Sequence, residues 1–300
     1  MNIRINVITM LGLAISSTSL AQDLTGVDYY GYYLDDWGVT LTEARVDAVK
    51  TYTNTQIIMG TGPVRANVQT LASRGMKAIP ELTGVFHGVS ESLWPGRLAS
   101  LATDLSGLTG SIAAMYVMDE PYFNGWDQAK LQRATALVKA QFPTIPTMTA
   151  LTTARIDRGV PSNMDWVGID PYPFDRGPLV YGLFPALARS DYDNEIDQAL
   201  IDLQTYMLNK PVFMIGQAFE KGGMLPEPEW QRWYWDTARE NDNIIGLMWF
   251  AYDRPGLGDT AIDSPQSLAE HQQIGAEIGI PEPATLALLA MGGLALRRRK

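Results

Sequence analysis

Residues 112–121 read Ile112-Ala113-Ala114-Met115-Tyr116-Val117-Met118-Asp119-Glu120-Pro121, an uncharged apolar run that stops abruptly at two carboxylates and a proline. Apolarity without alternation is what a strand covered on both faces requires, and a proline cannot continue its ladder. From Asp127 to Gln141 the pattern changes to that of a helix with one apolar face. A strand followed by such a helix is a βα unit, and the same unit recurs along the chain. Strands are expected at 27–34, 55–60, 76–82, 112–118, 145–151, 164–169, 211–216 and 244–251. Helical patterns follow at 41–53, 64–74, 93–105, 127–141, weakly at 153–158, then at 194–208, 227–240 and 264–278. Ser264-Pro265 suits a helix start, with proline at the first helical position, and Gly75 suits a helix end. Eight alternating pairs between residues 22 and 279 predict a single-domain α/β protein, a (β/α)8 TIM barrel. An open, doubly wound sheet is the alternative. Neither a Gly-x-Gly-x-x-Gly nor a phosphate-binding loop follows the first strand, which removes that alternative's usual nucleotide-binding support.

The two ends of the chain stand apart from this pattern. In residues 1–21, Arg4, the apolar stretch Val7 to Ile15, and Ser19-Leu20-Ala21 have the order of an export signal peptide. At the other end, Pro281-Glu282-Pro283 precedes an uncharged stretch to Leu296 and the basic block Arg297-Arg298-Arg299-Lys300. Such a segment inserts with its cations held on the cytoplasmic side. Its apolar run of about thirteen residues is short against the roughly 20 of a permanent span, which favours a transient signal. Residues 280–300 resemble a PEP-CTERM sorting signal. That resemblance implies an exosortase-type sorting enzyme as partner and transient inner-membrane contact through the tail. It also implies export to the periplasm, cell surface or extracellular matrix of a Gram-negative bacterium.

The composition, with 46% apolar and 19% charged residues, suits a globular protein with a large core. A net charge of -10 opposes attachment to nucleic acid, and the absence of cysteine excludes disulfides, thiolate metal sites and a cysteine nucleophile. Between the two signals, 18 basic and 32 acidic residues remain, a net charge of -14. The putting aside of both signals therefore makes the barrel more acidic, and its rim favours a neutral or cationic substrate.

In a (β/α)8 barrel the strand C-termini form the active face. Here they carry Asp35, Asp36, Glu81, Asp119, Glu120, Asp170, Gln217, Glu220 and Asp253, with Trp37, Phe86, Tyr122, Trp126, Tyr172, Phe174, Phe219, Trp249 and Tyr252 among them. Carboxylates among aromatic faces are what cleavage of a sugar chain requires. One acid protonates the glycosidic oxygen, and another stabilises the oxocarbenium-like state or activates water. Taken singly, Asp35, Asp253 and most of the aromatics are as readily explained by helix capping and core filling. Glu120 is set apart by its position, because Asp119-Glu120-Pro121 places adjacent carboxylates at the rim with one of them directed into the cleft.

These motifs, together with Asp170-Pro171-Tyr172-Pro173, Lys210 to Gln217 and Met248-Trp249-Phe250, resemble the clan A glycoside hydrolases. The resemblance implies a carbohydrate substrate, Glu120 as acid/base, Tyr172 as a support for the nucleophile, and Trp249 as a sugar platform. Where the clan carries its nucleophilic glutamate, this chain has Gln217, and an amide cannot serve. Three accounts remain open. Asp170 or Glu220 supplies the second catalytic carboxylate; or Glu120 works as the acid of an inverting pair with Asp36, Glu81 or Asp170; or the barrel binds glycan without cleaving it, using Gln217 for hydrogen bonding. Asp36, Trp37, Glu81, His87, Asp119, Tyr172, Gln217 and Trp249 are the expected substrate contacts.

Other chemistries find less support. His87 and His271 are the only histidines and form no zinc-binding spacing, so no metal is expected. His271 reads as a surface residue of the last helix. No Gly-x-Ser-x-Gly elbow supports a serine hydrolase. No cofactor pattern is present, and none is expected.

Overall fold

The computed structural model describes residues 26–34, 41–207, 210–221, 223–254 and 258–280. Within them β1 (Tyr29–Tyr33), β2 (Thr55–Met59), β3 (Lys77–Glu81), β4 (Met115–Met118), β5 (Thr147–Leu151), β6 (Trp166–Ile169), β7 (Val212–Gln217) and β8 (Ile244–Phe250) form a closed parallel barrel in chain order. β8 closes on β1 with Tyr29 opposite Gly246 and Tyr32 opposite Trp249. All eight strands fall where the apolar runs place them.

Alternation along each strand divides the core into two clusters. Inside the barrel lie Tyr33, Ile57, Ile79, Tyr116, Phe213 and Met248. Tyr30, Tyr32, Val117, Ile169, Met214 and Trp249 face outward against the helices. Tyr29, Trp166 and Phe213 plug the lower end of the barrel, with ring centroids 5.4–5.5 Å apart. The opposite end is left for chemistry.

The outer ring holds α1 (Glu43–Val49), α2 (Val64–Ala72), the short α3 (Thr83–Phe86), α4 (Trp94–Asp104) and α5 (Gln128–Gln141). It continues with α6 (Pro178–Leu183), α7 (Pro185–Tyr206), α8 (Pro228–Glu240) and α9 (Pro265–Ile278). Thr42, Asp127 and Ser264 accept from the backbone N–H groups of Arg45, Lys130 and Ser267 and so start α1, α5 and α9. The weak segment after β5 is a 3-10 turn, Thr153–Arg158. The helix expected from Asn194 instead begins at Pro185 and is preceded by α6. Pro178 and Pro185 sit at helix starts, where a missing N–H is no loss, so they open helices rather than interrupt them.

Candidate active site

The register of β4 against β5 shifts between Tyr116 and Met118, so the strand delivers Asp119 and Glu120 to the barrel mouth out of simple alternation. Glu120 has φ +40°, a left-handed conformation in a residue that precedes proline. Such a backbone costs on the order of 1–3 kcal/mol and persists only where its surroundings fix it. Asn124 does so: its N–H and Nδ2 donate to the Glu120 carbonyl at 3.0 and 3.2 Å, and Nδ2 reaches the Asp119 carbonyl at 3.0 Å. Asn124 is a site residue that the sequence alone did not mark.

Asp119 is held from below. The Tyr33 hydroxyl donates to Tyr116 at 3.2 Å, and the Tyr116 hydroxyl donates in turn to Asp119. The Asp119 N–H donates to Thr83 Oγ1 at 3.0 Å, while the Thr83 N–H donates to Glu81 Oε1 at 2.8 Å. Burial, then the charge of Asp119, raises the Tyr33 and Tyr116 hydroxyl pKa values well above the ordinary phenol range. Both phenols are therefore neutral hydrogen-bond donors at neutral pH. Glu81, at the end of β3, is buried among them.

Asp170 follows β6 and is only 6% exposed. Its carboxyl lies within hydrogen-bond reach of Glu120, and Oδ1 is buried without a partner. Burial first, then the hydrogen bond and charge of Glu120 and the charge of Asp119, push its pKa well above the usual carboxylate value. Burial and the neighbouring negative charges thus favour the protonated form of Asp170, which lets its carboxyl donate towards Glu120.

A cleft of about 760 Å³ opens from this pair. Glu120, Asp170 and Tyr172 lie at one end, and Thr153, Asp191 and Glu195 line the wall formed by the 3-10 turn and α7. Phe123 stands on the rim, 72% exposed, as an aromatic face that the sequence reading did not single out. Lys221 Nζ donates to the Tyr172 carbonyl at 2.8 Å, and the Tyr234 hydroxyl donates to the Pro171 carbonyl at 2.8 Å, fixing the loop after β6.

The other expected contacts separate into three groups. Gln217 ends β7 on the inward register of Phe213 and Ile215; its Nε2 donates to the Phe219 carbonyl at 3.1 Å, and Oε1 is buried without a partner. Glu220 turns away, its N–H donating to the Asp259 carbonyl at 2.8 Å and its Oε2 accepting from the Asp259 N–H at 3.4 Å. It does not line the cleft with Glu120 and Asp170. His87 is exposed and likewise absent from the cleft lining. Asp36 and Trp37 lie outside the described residues.

Trp249 requires a correction. It points outward from β8, fully buried, stacked on His271 at 4.1 Å and donating from Nε1 to the Tyr30 hydroxyl at 2.9 Å. It is core, not platform. The inward aromatic is its neighbour Phe250, 5.0 Å from Tyr33 and 5.5 Å from Phe219 between ring centroids. His271 is corrected with it: far from the surface, its Nδ1 lies 2.6 Å from the Tyr32 hydroxyl, and burial lowers its pKa to about 3. Among the described residues no cluster of histidine and carboxylate side chains is arranged to hold a metal ion.

The fold has known counterparts. Over 83% of this chain and 50% of the other, it superposes with a TM-score of 0.54 on the β-glucuronidase of Ruminococcus gnavus in complex with uronic deoxynojirimycin, at 12% identity. Over 82% of this chain and 78% of the other, it superposes with a TM-score of 0.56 on endo-glycoceramidase II from Rhodococcus sp. with ganglioside GM3, at 14% identity. A β-glucuronidase of an uncultured Clostridium sp. gives 0.55 over 83% and 50% of the two chains, at 14% identity. The chain thus spans half the length of the two glucuronidases. At these identities the likeness is one of fold: a single-domain (β/α)8 TIM barrel, the fold of these glycoside hydrolases. No curated protein matches in sequence. Residues 279–300 match the PEP-CTERM protein-sorting motif, which indicates export in a Gram-negative bacterium. The signal expected at residues 1–21 and the tail from 281 onward lie outside the described residues. Among those described, no helix is long and apolar enough to cross a membrane.

Proposed function

We propose that the mature protein, freed of residues 1–21 and sorted through residues 280–300, hydrolyses O-glycosidic bonds of an oligo- or polysaccharide in the bacterial envelope. Glu120 is its general acid, the carbohydrate its substrate, and an exosortase-type enzyme the partner of its tail. The observation that carries this reading is the Glu120–Asp170 carboxyl pair, within hydrogen-bond reach of each other at the mouth of an open cleft. Burial and the neighbouring charges favour the protonated form of Asp170, a proton source beside Glu120, and the more exposed Glu120 is the member that reaches a leaving oxygen. Tyr172 and Phe123 offer ring faces to the sugars on either side.

Gln217 favours a second reading, a barrel that binds glycan without cleaving it. The two separate on a panel of plant, algal and bacterial polysaccharides with product analysis. The hydrolase releases new reducing ends, and Glu120→Gln lowers kcat by about 10²–10⁴-fold with little change in Tm. Retention of a glycan with no reducing ends released from any member of the panel would establish the binding barrel instead.

A further inference from the structure

Asp170 Oδ1 is a buried acceptor with no donor, in a residue that lines the cleft beside Glu120. Leaving such an oxygen unmatched costs its full desolvation, so at the wall of an open cleft it marks where a ligand N–H or O–H belongs. Among the described residues, no carboxyl stands where a nucleophile is needed. Retaining glycosidases hold their two carboxyls roughly 5–5.5 Å apart and inverting ones roughly 6.5–9.5 Å, with the sugar carbon or a water between them. Glu120 and Asp170 are closer than either, within hydrogen-bond reach, so no sugar carbon fits between them. At the end of β7 stands the amide of Gln217. Glu81 and Asp119 are already engaged by the Thr83 N–H and the Tyr116 hydroxyl. Glu220 faces Asp259. Of the other described carboxyls of the cleft, Asp191 is taken by Arg176 and the Tyr181 hydroxyl, Glu195 accepts from Thr153, and Asp175 stands exposed on the cleft wall. An attacking group that none of these described side chains supplies can come from the sugar itself.

Resting on the hydrolase reading above, we propose that the cleft takes glycans built of 2-acetamido sugars, whose own acetamide oxygen is the nucleophile and whose acetamide N–H is held by Asp170 Oδ1. The acetamide oxygen bonds to the anomeric carbon as the bond to the leaving oxygen breaks, and that oxygen takes the proton of Glu120. The amide nitrogen lone pair completes an oxazolinium ring, its N–H still donating to the Asp170 carboxylate. Water then adds to the anomeric carbon, its proton passes to Glu120, the ring C–O bond breaks, and the acetamide is restored. Two inversions leave the anomeric configuration retained. The N–H bond to Asp170 favours that group's ionised form, so substrate binding itself helps a proton pass from Asp170 to the neighbouring Glu120. A neutral acetamido sugar also agrees with the acidic rim.

The test uses the full chain without its signal peptide, with chito-oligosaccharides and peptidoglycan fragments set beside cello-oligosaccharides and deacetylated chitosan oligomers. The acetamido glycans should be cleaved at least about 100-fold faster than their hydroxyl or amino counterparts, because the nucleophile is present in them alone. Fluorination of the acetamide methyl should slow the reaction stepwise with the falling basicity of its oxygen, and Asp170→Asn should lower kcat while leaving KM nearly unchanged. Comparable cleavage of cello-oligosaccharides, or rates indifferent to fluorination, would overturn the inference and leave the hydrolase standing. Glycan retention without cleavage of any member would remove the hydrolase reading, and this inference with it.

Discussion

At the scale of single residues, the site is a set of unfavourable placements held by specific partners. Glu120 adopts φ +40° under the hold of Asn124, and Asp170 keeps its carboxyl where water is excluded. The second placement has a consequence for stability. An exposed aspartate ionises near pH 4, whereas folded Asp170 keeps its proton to a higher pH. Over that interval the folded state binds more protons than the unfolded one, so this group's contribution to stability falls as pH rises. Asp170→Asn keeps a donor to Glu120 and removes the titration. Its Tm should therefore exceed that of the parent at pH 7, with the advantage vanishing below about pH 4, where both states carry the proton. Thermal melts across that range decide the point, and a less stable Asn variant at pH 7 would contradict the placement of the proton. The sequence made Glu120 and Asp170 legible because a run of apolar residues ending in an acid has one structural meaning. It could not separate Trp249 from Phe250. Adjacent aromatics in a strand face opposite sides, and which faces inward depends on the register with β7 and β1 rather than on either residue type.

At the scale of elements, close strand approach and helix entry are decided by glycine and proline. In β1, a Cβ added to Gly31 would overlap the main-chain oxygen of Thr55 in β2, an atom that cannot move without breaking the ladder. In α4, a Cβ added to Gly96 meets nothing within 4 Å. The same substitution should therefore act in opposite directions. Gly31→Ala should lower stability by at least about 3 kcal/mol or prevent soluble expression, as expected where an overpacked core has no room to relax. Gly96→Ala should raise it by up to about 1 kcal/mol, the intrinsic helix preference of alanine over glycine. Urea melts of the two variants compare them directly, and a Gly31→Ala protein as stable as its parent would place β1 wrongly. The strands were legible from apolar runs alone, because a barrel wall covered on both faces leaves no other pattern. α6 and the first turns of α7 were not. They run through Pro178, Gly182 and Pro185 with Leu179, Leu183 and Phe184 exposed, so neither punctuation nor amphipathic spacing announced them.

At the scale of the whole molecule, the barrel closes on residues that precede the sorting tail. β8 pairs with β1 along Tyr29 to Tyr32, and α9 closes the outer ring through Ile274, with Ile278 and Ile280 packed against the same core. Gly279, at φ +80°, ends that helix in the left-handed turn that glycine adopts without strain. Among the described residues, the contacts that shut the barrel are thus complete at position 280. A protein ending there should melt within about 1 °C of the longer chain, because it keeps every described contact that closes the barrel. It should also retain whatever glycan activity the full chain shows. Its fate in the cell should differ, since residues 281–300 carry most of the sorting motif, basic terminus included. In cell fractionation the shortened protein should be exported and lose its envelope retention. A fall of several degrees in Tm would mean that the tail packs on the barrel, and the division of labour between a folded domain and an address label would be wrong.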